Sequence, residues 1–505
     1  MSSSPTSSPP PPGPAAPDRL ESSPASSPVG TVGGRTAVFA VLVVLMADFM
    51  ELLDATIVTV AAPAIMHELG ASEAALQWTV AGYTLALGAA LITGGRIGDQ
   101  YGRRRAFLVG LTGFALASAL CALAPDPQTL VATRVLQGLA AGFMVPQVFG
   151  IIRSSLAPGA RAKAFGAYGA VLSLASVAGP LLGGFLVDAD LFGLGWRAIF
   201  WVNIPVAIIG LILGAKFLPE SSASHRTRLD LLGAALGAVS VVLILLPLVQ
   251  GREWGWPWWG FAMMATAAVS GSVFLLWERR LIAGGGQPIF DPALLRIRSF
   301  SAGLAISVFF FGAIGSFFFL LSLYLQLGTG SSAWRTGLVV LPYAIGAIIT
   351  SGIGVQFVAR AGRALLIGGS LLLALSQLVL LVVVRANADP GYQPLALALF
   401  IGGLGIGLTA PSLINVILAA VPAQDAGAAG GVLTTVSQIG SSIGVAVLGG
   451  MFFVSLDDSF SAGRPVLDGY SDAFLAILPW QIVCYVLAAA LMFLLPRVAA
   501  EHGEQ

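Results

Sequence analysis

Beyond residue 35 the chain is built from apolar runs of about twenty residues separated by short polar breaks, a length that crosses the ~30 Å hydrocarbon core of a bilayer as an α-helix. The pattern predicts helices near 36–60, 74–95, 105–124, 128–152, 162–187, 198–218, 229–249, 258–278, 300–326, 335–358, 364–385, 394–420, 428–454 and 472–496, about fourteen in all. Residues 1–35 are mostly Ser, Pro, Ala and Gly, with too little apolar surface to offset the entropy of ordering, so a disordered tail is expected there. A secretory leader is not expected, because the apolar stretch after Arg35 is too long and runs straight into charged helix residues.

Those charges are the first departure from a plain membrane helix. Asp48, Glu51 and Asp54 fall inside the first span. A carboxylate near the bilayer centre costs at least about 2.5 kcal/mol on insertion scales, and where one persists it marks an ion path, a proton relay or a polar cavity. Steps of three along a helix advance about 300° each, so the three groups lie within roughly 120° of one another on a face that cannot look at lipid.

Composition agrees with the bilayer reading. The 505 residues are 57% hydrophobic and 10% charged, against about 25% charged in a soluble domain. A net charge of +1 gives no reason to invoke nucleic acid. Cys121 and Cys484 sit in apolar segments as packing residues, with no metal site or disulfide framework expected. An embedded enzyme would need clustered His, Cys or Ser/His/Asp groups at one depth, and the chain has three His. An ATP-driven pump would need a Gly-x-x-x-x-Gly-Lys-Ser/Thr loop, which does not occur. With the N-terminus in the cytoplasm, 19 of the 25 basic residues fall in inside tails and loops, so the positive-inside rule places both termini there. Trp254, Trp256, Trp258 and Trp259 then form an aromatic belt at the outer interface.

Short motifs narrow the class further. Between the second and third helices stands Gly95-Arg96-Ile97-Gly98-Asp99-Gln100-Tyr101-Gly102-Arg103-Arg104-Arg105, with a decayed copy at Val355 to Arg363 that keeps only the Gly-Arg end. The first copy resembles the loop signature of the major facilitator superfamily, and two copies in corresponding places imply two related halves. In that family Asp99 and Arg103, flanked by Gly95 and Gly102, would form a charge latch remade as the transporter changes sides. Leu130 to Gly138, around Arg134, resembles the fourth-helix motif of drug exporters, where a buried Arg is linked with proton handling. Ala175 to Gly184 resembles the fifth-helix antiporter motif, with Gly179 and Pro180 allowing a kink and close helix contact. Leu53 to Pro63 and Trp196 to Pro205 are similar to signatures of the fourteen-helix drug:proton antiporters.

The resemblance implies an all-α integral membrane protein with the major facilitator fold, two six-helix bundles and two additional central helices. Its divisions are a cytoplasmic tail (1–35), an N-terminal bundle (36–220), the extra pair with its linkers (221–299), a C-terminal bundle (300–496) and a second tail (497–505). It implies proton-coupled efflux of hydrophobic, cationic drugs or antibiotics by alternating access, from a monomer in the cytoplasmic membrane with no cofactor beyond the coupling proton. The partners expected are a small-molecule drug, protons and the lipid bilayer. An importer of a small solute with the same fold and a non-transporting sensor are the alternatives.

Depth suggests how the charges divide. Arg134 and Asp54 each lie six residues inside the predicted outer helix end, about 9 Å deep, and could pair. Asp54 would then be structural or gating and Asp48 or Glu51 the reversible proton site; the alternative is Asp54 as carrier with Arg134 adjusting its affinity. Candidate substrate contacts are Asp48 and Glu51 with Tyr83, Gln137, Phe310, Tyr343, Asn415 and Gln438. The C-terminal half is expected to hold no carboxylate inside a helix, with Asp425, Asp457, Asp458, Asp468 and Asp472 in loops.

Overall fold

The computed structural model describes residues 35–156, 178–220, 230–286, 288, 289, 291–418 and 426–495, with 164, 171, 174, 175 and 421 besides. Among the described residues the regular structure is helical: α1 (Arg35–Leu69), α2 (Glu73–Tyr101), α3 (Arg103–Ala122), α4 (Pro127–Ser155), α5 (Ala178–Asp188), α6 (Asn203–Phe217), α7 (Leu231–Gln250), α8 (Trp258–Ala283), α9 (Arg298–Leu323), α10 (Ala333–Ala386), α11 (Tyr392–Leu418), α12 (Ala426–Ser461) and α13 (Val466–Met492). Thirteen segments of the described chain are long and apolar enough to cross a membrane. Most of the predicted fifth helix lies outside the described residues, and its last turns form α5. Both expected tails lie outside them as well, except Arg35, which opens α1.

Two of the predicted helices form one assigned segment, α10. Tyr343 and Ser376 both abut Gly402 of α11, so the two halves of α10 run side by side against that helix and supply two spans. Helix α1 ends at Leu69 rather than near 60, because Pro63 sits inside the helix instead of stopping it. In a membrane bundle neighbouring helices re-satisfy the groups a proline frees. The last two helices of the C-terminal half are also longer than expected. Asp457 and Asp458 therefore belong to α12, and Asp468 and Asp472 to α13, all near helix ends rather than in loops; Asp425 lies outside the described residues.

One bundle packs α2 and α3 on α4 and sets α1 and α3 against α6, while the other packs α11 on α10, α12 on α9, and α13 on α9, α10 and α12. Helices α7 and α8 pack chiefly on each other, and only 22% and 11% of their spans is buried, the least of all. They are therefore the most lipid-facing helices.

Phe39 stacks on Phe217 beside one described chain end, and Arg363 donates to the Phe493 and Leu495 carbonyls beside the other; the ends of the helices that carry these contacts are called proximal here. The bundles meet toward the opposite, distal face. There Gln326 donates to the Val60 carbonyl at 2.8 Å, and Thr84 and Ser442 hydroxyls share a 2.6 Å hydrogen bond. Asp188, at the end of α5, accepts from the amides of Ala333 and Trp334 at 3.1 and 3.0 Å, capping α10 across the bundle boundary. Gly184 makes that approach possible, since a Cβ there would lie 2.3 Å from the Ala333 carbonyl oxygen. Arg252, from the α7–α8 turn, pairs with both Glu73 of α2 and Asp457 of α12. The distal side is closed.

Candidate functional site

The buried polar cluster of the N-terminal bundle is organised around Asp54. Its Oδ2 accepts from Arg134 Nη1 at 2.5 Å, and its Oδ1 accepts from the amides of Gln137 at 3.0 Å and Asn203 at 2.6 Å. Arg134 also donates to Gln137 Oε1 at 2.7 Å and to the Thr79 carbonyl at 3.2 Å. Asp54 is fully buried and Arg134 is 1% exposed. Removing either partner of such a pair strands the other charge, which typically costs about 3–5 kcal/mol.

The pair forms although α1 ends nine residues beyond the predicted position while α4 starts within one residue of its own. Asp54 stands well short of the true end of α1 at Leu69, so it is deeper along its own helix than Arg134 is along α4. The two meet because α1 continues past the level at which α4 begins.

One turn before Asp54, Glu51 accepts from the Tyr83 hydroxyl at 2.9 Å. The face of the Tyr83 ring lies 4.1 Å from the Arg134 guanidinium carbon, a cation–π contact. Tyr83 thus joins Glu51 to the Asp54–Arg134 pair. Asp48 is buried a further turn along the same helix. All three carboxylates face protein.

The remaining predicted contacts are spread widely. Gln137 belongs to the Asp54 cluster itself. Phe310 is fully buried, edge-on to Tyr485 at 6.1 Å, and Tyr343 packs edge-on to Phe318 at 5.0 Å in the C-terminal bundle. Gln438 lies half-buried against Gly88 at the bundle boundary. The side chain of Asn415 lies outside the described residues.

The latch residues occupy the proximal face. Asp99 accepts from Arg103 at 2.7 Å, and Arg103 reaches the Gly150 carbonyl at 3.4 Å. Gly102 has φ +107°, and a Cβ there would stand 2.4 Å from Glu220, which accepts from the Arg104 amide at 3.2 Å. Gly95 faces Pro146 with ordinary clearance. Gly179 sits on Thr56 of α1, where a Cβ would come within 1.9 Å of the hydroxyl oxygen, and Pro180 is buried beside Gly337 of α10. The second motif copy, apart from Gly362 and Arg363, has no described side chains.

Residues 44–445 match the Major Facilitator Superfamily. The chain belongs to that family. This member of the Major Facilitator Superfamily is 41% identical over 439 residues to the "Probable actinorhodin transporter" of Streptomyces coelicolor, covering 84% of this chain and 75% of that protein. It is 34% identical over 481 residues to the "Puromycin resistance protein pur8" of Streptomyces alboniger, covering 92% and 93%. Its fold is also that of a bacterial homologue of the human lysosomal transporter Spinster, solved inward-facing and unoccupied, with TM-score 0.62 and 18% identity over 92% of this chain and 97% of that one.

Two residues of the superfamily member were not singled out from sequence. Asn203 is a third hydrogen-bond donor to Asp54 and also donates to Ser118 Oγ at 3.0 Å. Its signal was an amide inside the predicted span 198–218, which is apolar apart from it and Lys216. Glu278, at the proximal end of α8, is buried and accepts from the Ile289 amide at 3.0 Å, while Arg96 of the loop motif donates to the Pro288 carbonyl. The linker between the extra helices and the second bundle is thereby docked on α2.

Proposed function

We propose that this protein exports a hydrophobic, cationic drug or antibiotic across the cytoplasmic membrane in exchange for protons, by alternating access, as a monomer with both termini inside. Drug efflux by a Major Facilitator Superfamily transporter rather than enzymatic chemistry is what the family and the relatives' names support. Exchange with protons rests on one observation, the unequal treatment of the α1 carboxylates. Asp54 has a guanidinium and two amides, whereas Glu51 is held by a neutral phenol. A buried carboxylate held without a cation is the natural place to bind and release a proton reversibly.

In this reading Asp54–Arg134 is the fixed scaffold and Glu51, with Asp48 one turn away, exchanges the proton. Protonation from outside weakens the hold on a cationic cargo and favours its release; loss of the proton inside restores a negative cavity. The distal contacts of Asp188, Gly184 and Thr84 would separate in the outward-open state, and the Asp99–Arg103 latch would be remade.

Reconstituted vesicles test this directly. Adding a transported drug to one side should drive proton movement in the opposite direction, and neutralising Asp48, Glu51 and Asp54 together should abolish it. Uphill pumping by that triple variant on a pH gradient alone would overturn the reading.

A further inference from the structure

On the distal face a cleft of about 430 Å³ lies between α2, the end of α7 and α12, with none of the α1 carboxylates in its lining. A volume of that order suits a small organic molecule. Its walls are apolar, formed by Leu248 and Val249 on one side and Val447, Met451 and Val454 on the other. Three carboxylates, Glu73, Glu253 and Asp458, line it against the one guanidinium of Arg252, and the Trp256 ring flanks it. Anions are therefore disfavoured.

The cleft also contains a specific hydrogen-bonding group. Gln77 is 3% exposed, yet its Oε1 has no hydrogen-bond partner among the described residues. Its Nε2 end rests against Gly449, so the amide is packed rather than swinging in solvent. Buried acceptors are almost always satisfied, and Gln77 lines the cleft although its Oε1 is sealed from solvent, so a donor from whatever fills the cleft reaches it by a small turn of the amide. On the α12 wall a Cβ at Gly450 would meet nothing within 4 Å, which leaves the space above that residue open.

We propose that this cleft is a binding site for an amphipathic organic amine: its N–H donates to Gln77 Oε1, its charge is balanced by the carboxylates and the Trp256 face, and its apolar body lies between Val249 and Met451. That it opens outward rests on the topology proposed above; the recognition chemistry does not. An exported amine and an aminophospholipid headgroup share this chemistry.

The test uses the full chain in phosphatidylcholine nanodiscs, photolabelled with ethidium monoazide, a phenanthridinium that keeps one aryl amine, and mapped by tandem mass spectrometry. Label is expected on the Arg252–Trp256 turn or the Val447–Val454 wall, displaced by excess ethidium. Gly450→Phe, which grows into open space, should reduce it at least about tenfold. Gln77→Leu should weaken displacement by about the same factor and decides the matter if Gly450→Phe does not assemble as a monodisperse protein. Label confined elsewhere, or cleft label unchanged in these variants, overturns the proposal. Phosphatidylethanolamine nanodiscs identify the source: loss of label there assigns the site to lipid, and retention assigns it to exported amines. Cleft labelling should survive Glu51→Gln, so failure of the proton-exchange reading is separable from failure of this one.

Discussion

The Tyr83 hydroxyl donates to Glu51 at 2.9 Å while its ring covers the Arg134 guanidinium, so one side chain couples the carboxylate held by a phenol to the carboxylate held by an ion pair. Tyr83→Phe keeps the ring and removes the donor. The pH midpoint of drug-driven proton movement should then shift by about one unit, since a hydrogen bond to a charged group is worth about that much. At least one of Asp48→Asn and Glu51→Gln should abolish resistance in a susceptibility panel at unchanged membrane abundance; full resistance in both would refute the carrier assignment.

Arg134→Leu leaves the Asp54 carboxylate buried with amides alone, and thermal denaturation in detergent should register a loss of about 3–5 kcal/mol. Adding Asp54→Asn should restore much of it, because the stranded charge is gone while the donors Gln137 and Asn203 still find an oxygen. Strict additivity of the two changes would contradict the pairing.

Gly184→Ala forces a methyl against the Ala333 carbonyl, and Asp188→Ala removes the acceptor of the first two amides of α10. Either change should loosen distal closure. Amide exchange at Ala333 and Trp334 is expected to accelerate about tenfold or more, with slower export; unchanged exchange would mean these contacts do not hold the bundles together.

Gly102→Ala places a side chain at φ +107° and against Glu220. Backbone strain of about 1–2 kcal/mol should lower the melting temperature by a few degrees and disturb the Arg104–Glu220 contact, while Asp99 and Arg103 remain able to pair. A melting temperature equal to that of the parent protein would count against the strain.

Asp126 caps α4, and hydrogen bonds from the Thr129 amide and hydroxyl hold its carboxyl below the usual carboxylate range. A carboxyl with a lowered folded pKa stabilises the fold above its unfolded value and loses that contribution as pH falls through the folded one. Asp126→Ala should therefore lower the melting temperature near neutral pH, and the difference from the parent should shrink as pH drops below about 4. A gap that persists in acid would assign the effect to something other than the charged cap.

The sequence carried the helices and the charged members of the site because both stand out physically: apolar runs of membrane length are rare otherwise, and a carboxylate or guanidinium inside one must be compensated. Asp54 and Arg134 were legible as potential partners for that reason. Asn203 was not, since an amide in an apolar span is equally at home bridging any two helices. The predicted end of α1 near 60 falls short because packing carries the helix through Pro63 to Leu69. Phe310 and Tyr343 show a further limit: helices that are apolar all round give no periodic cue to which face meets a cavity and which meets a neighbour. Gln77 escaped notice because the space beside it is created by three helices far apart in the chain.

Helices α7 and α8 touch mostly lipid, yet their distal turn grips both bundles through Arg252 and their proximal linker is tied to α2 through Arg96 and Pro288. Held at both ends, the pair is coupled to the bundles when it tilts. Acyl chains that thin or thicken the surrounding bilayer would change the preferred tilt of these two helices at a modest cost per ångström of mismatch, and both attachments would carry that load into the bundles. The speed of the transport cycle should therefore follow membrane thickness, making the accessory helices the route by which lipid composition sets the pace of export.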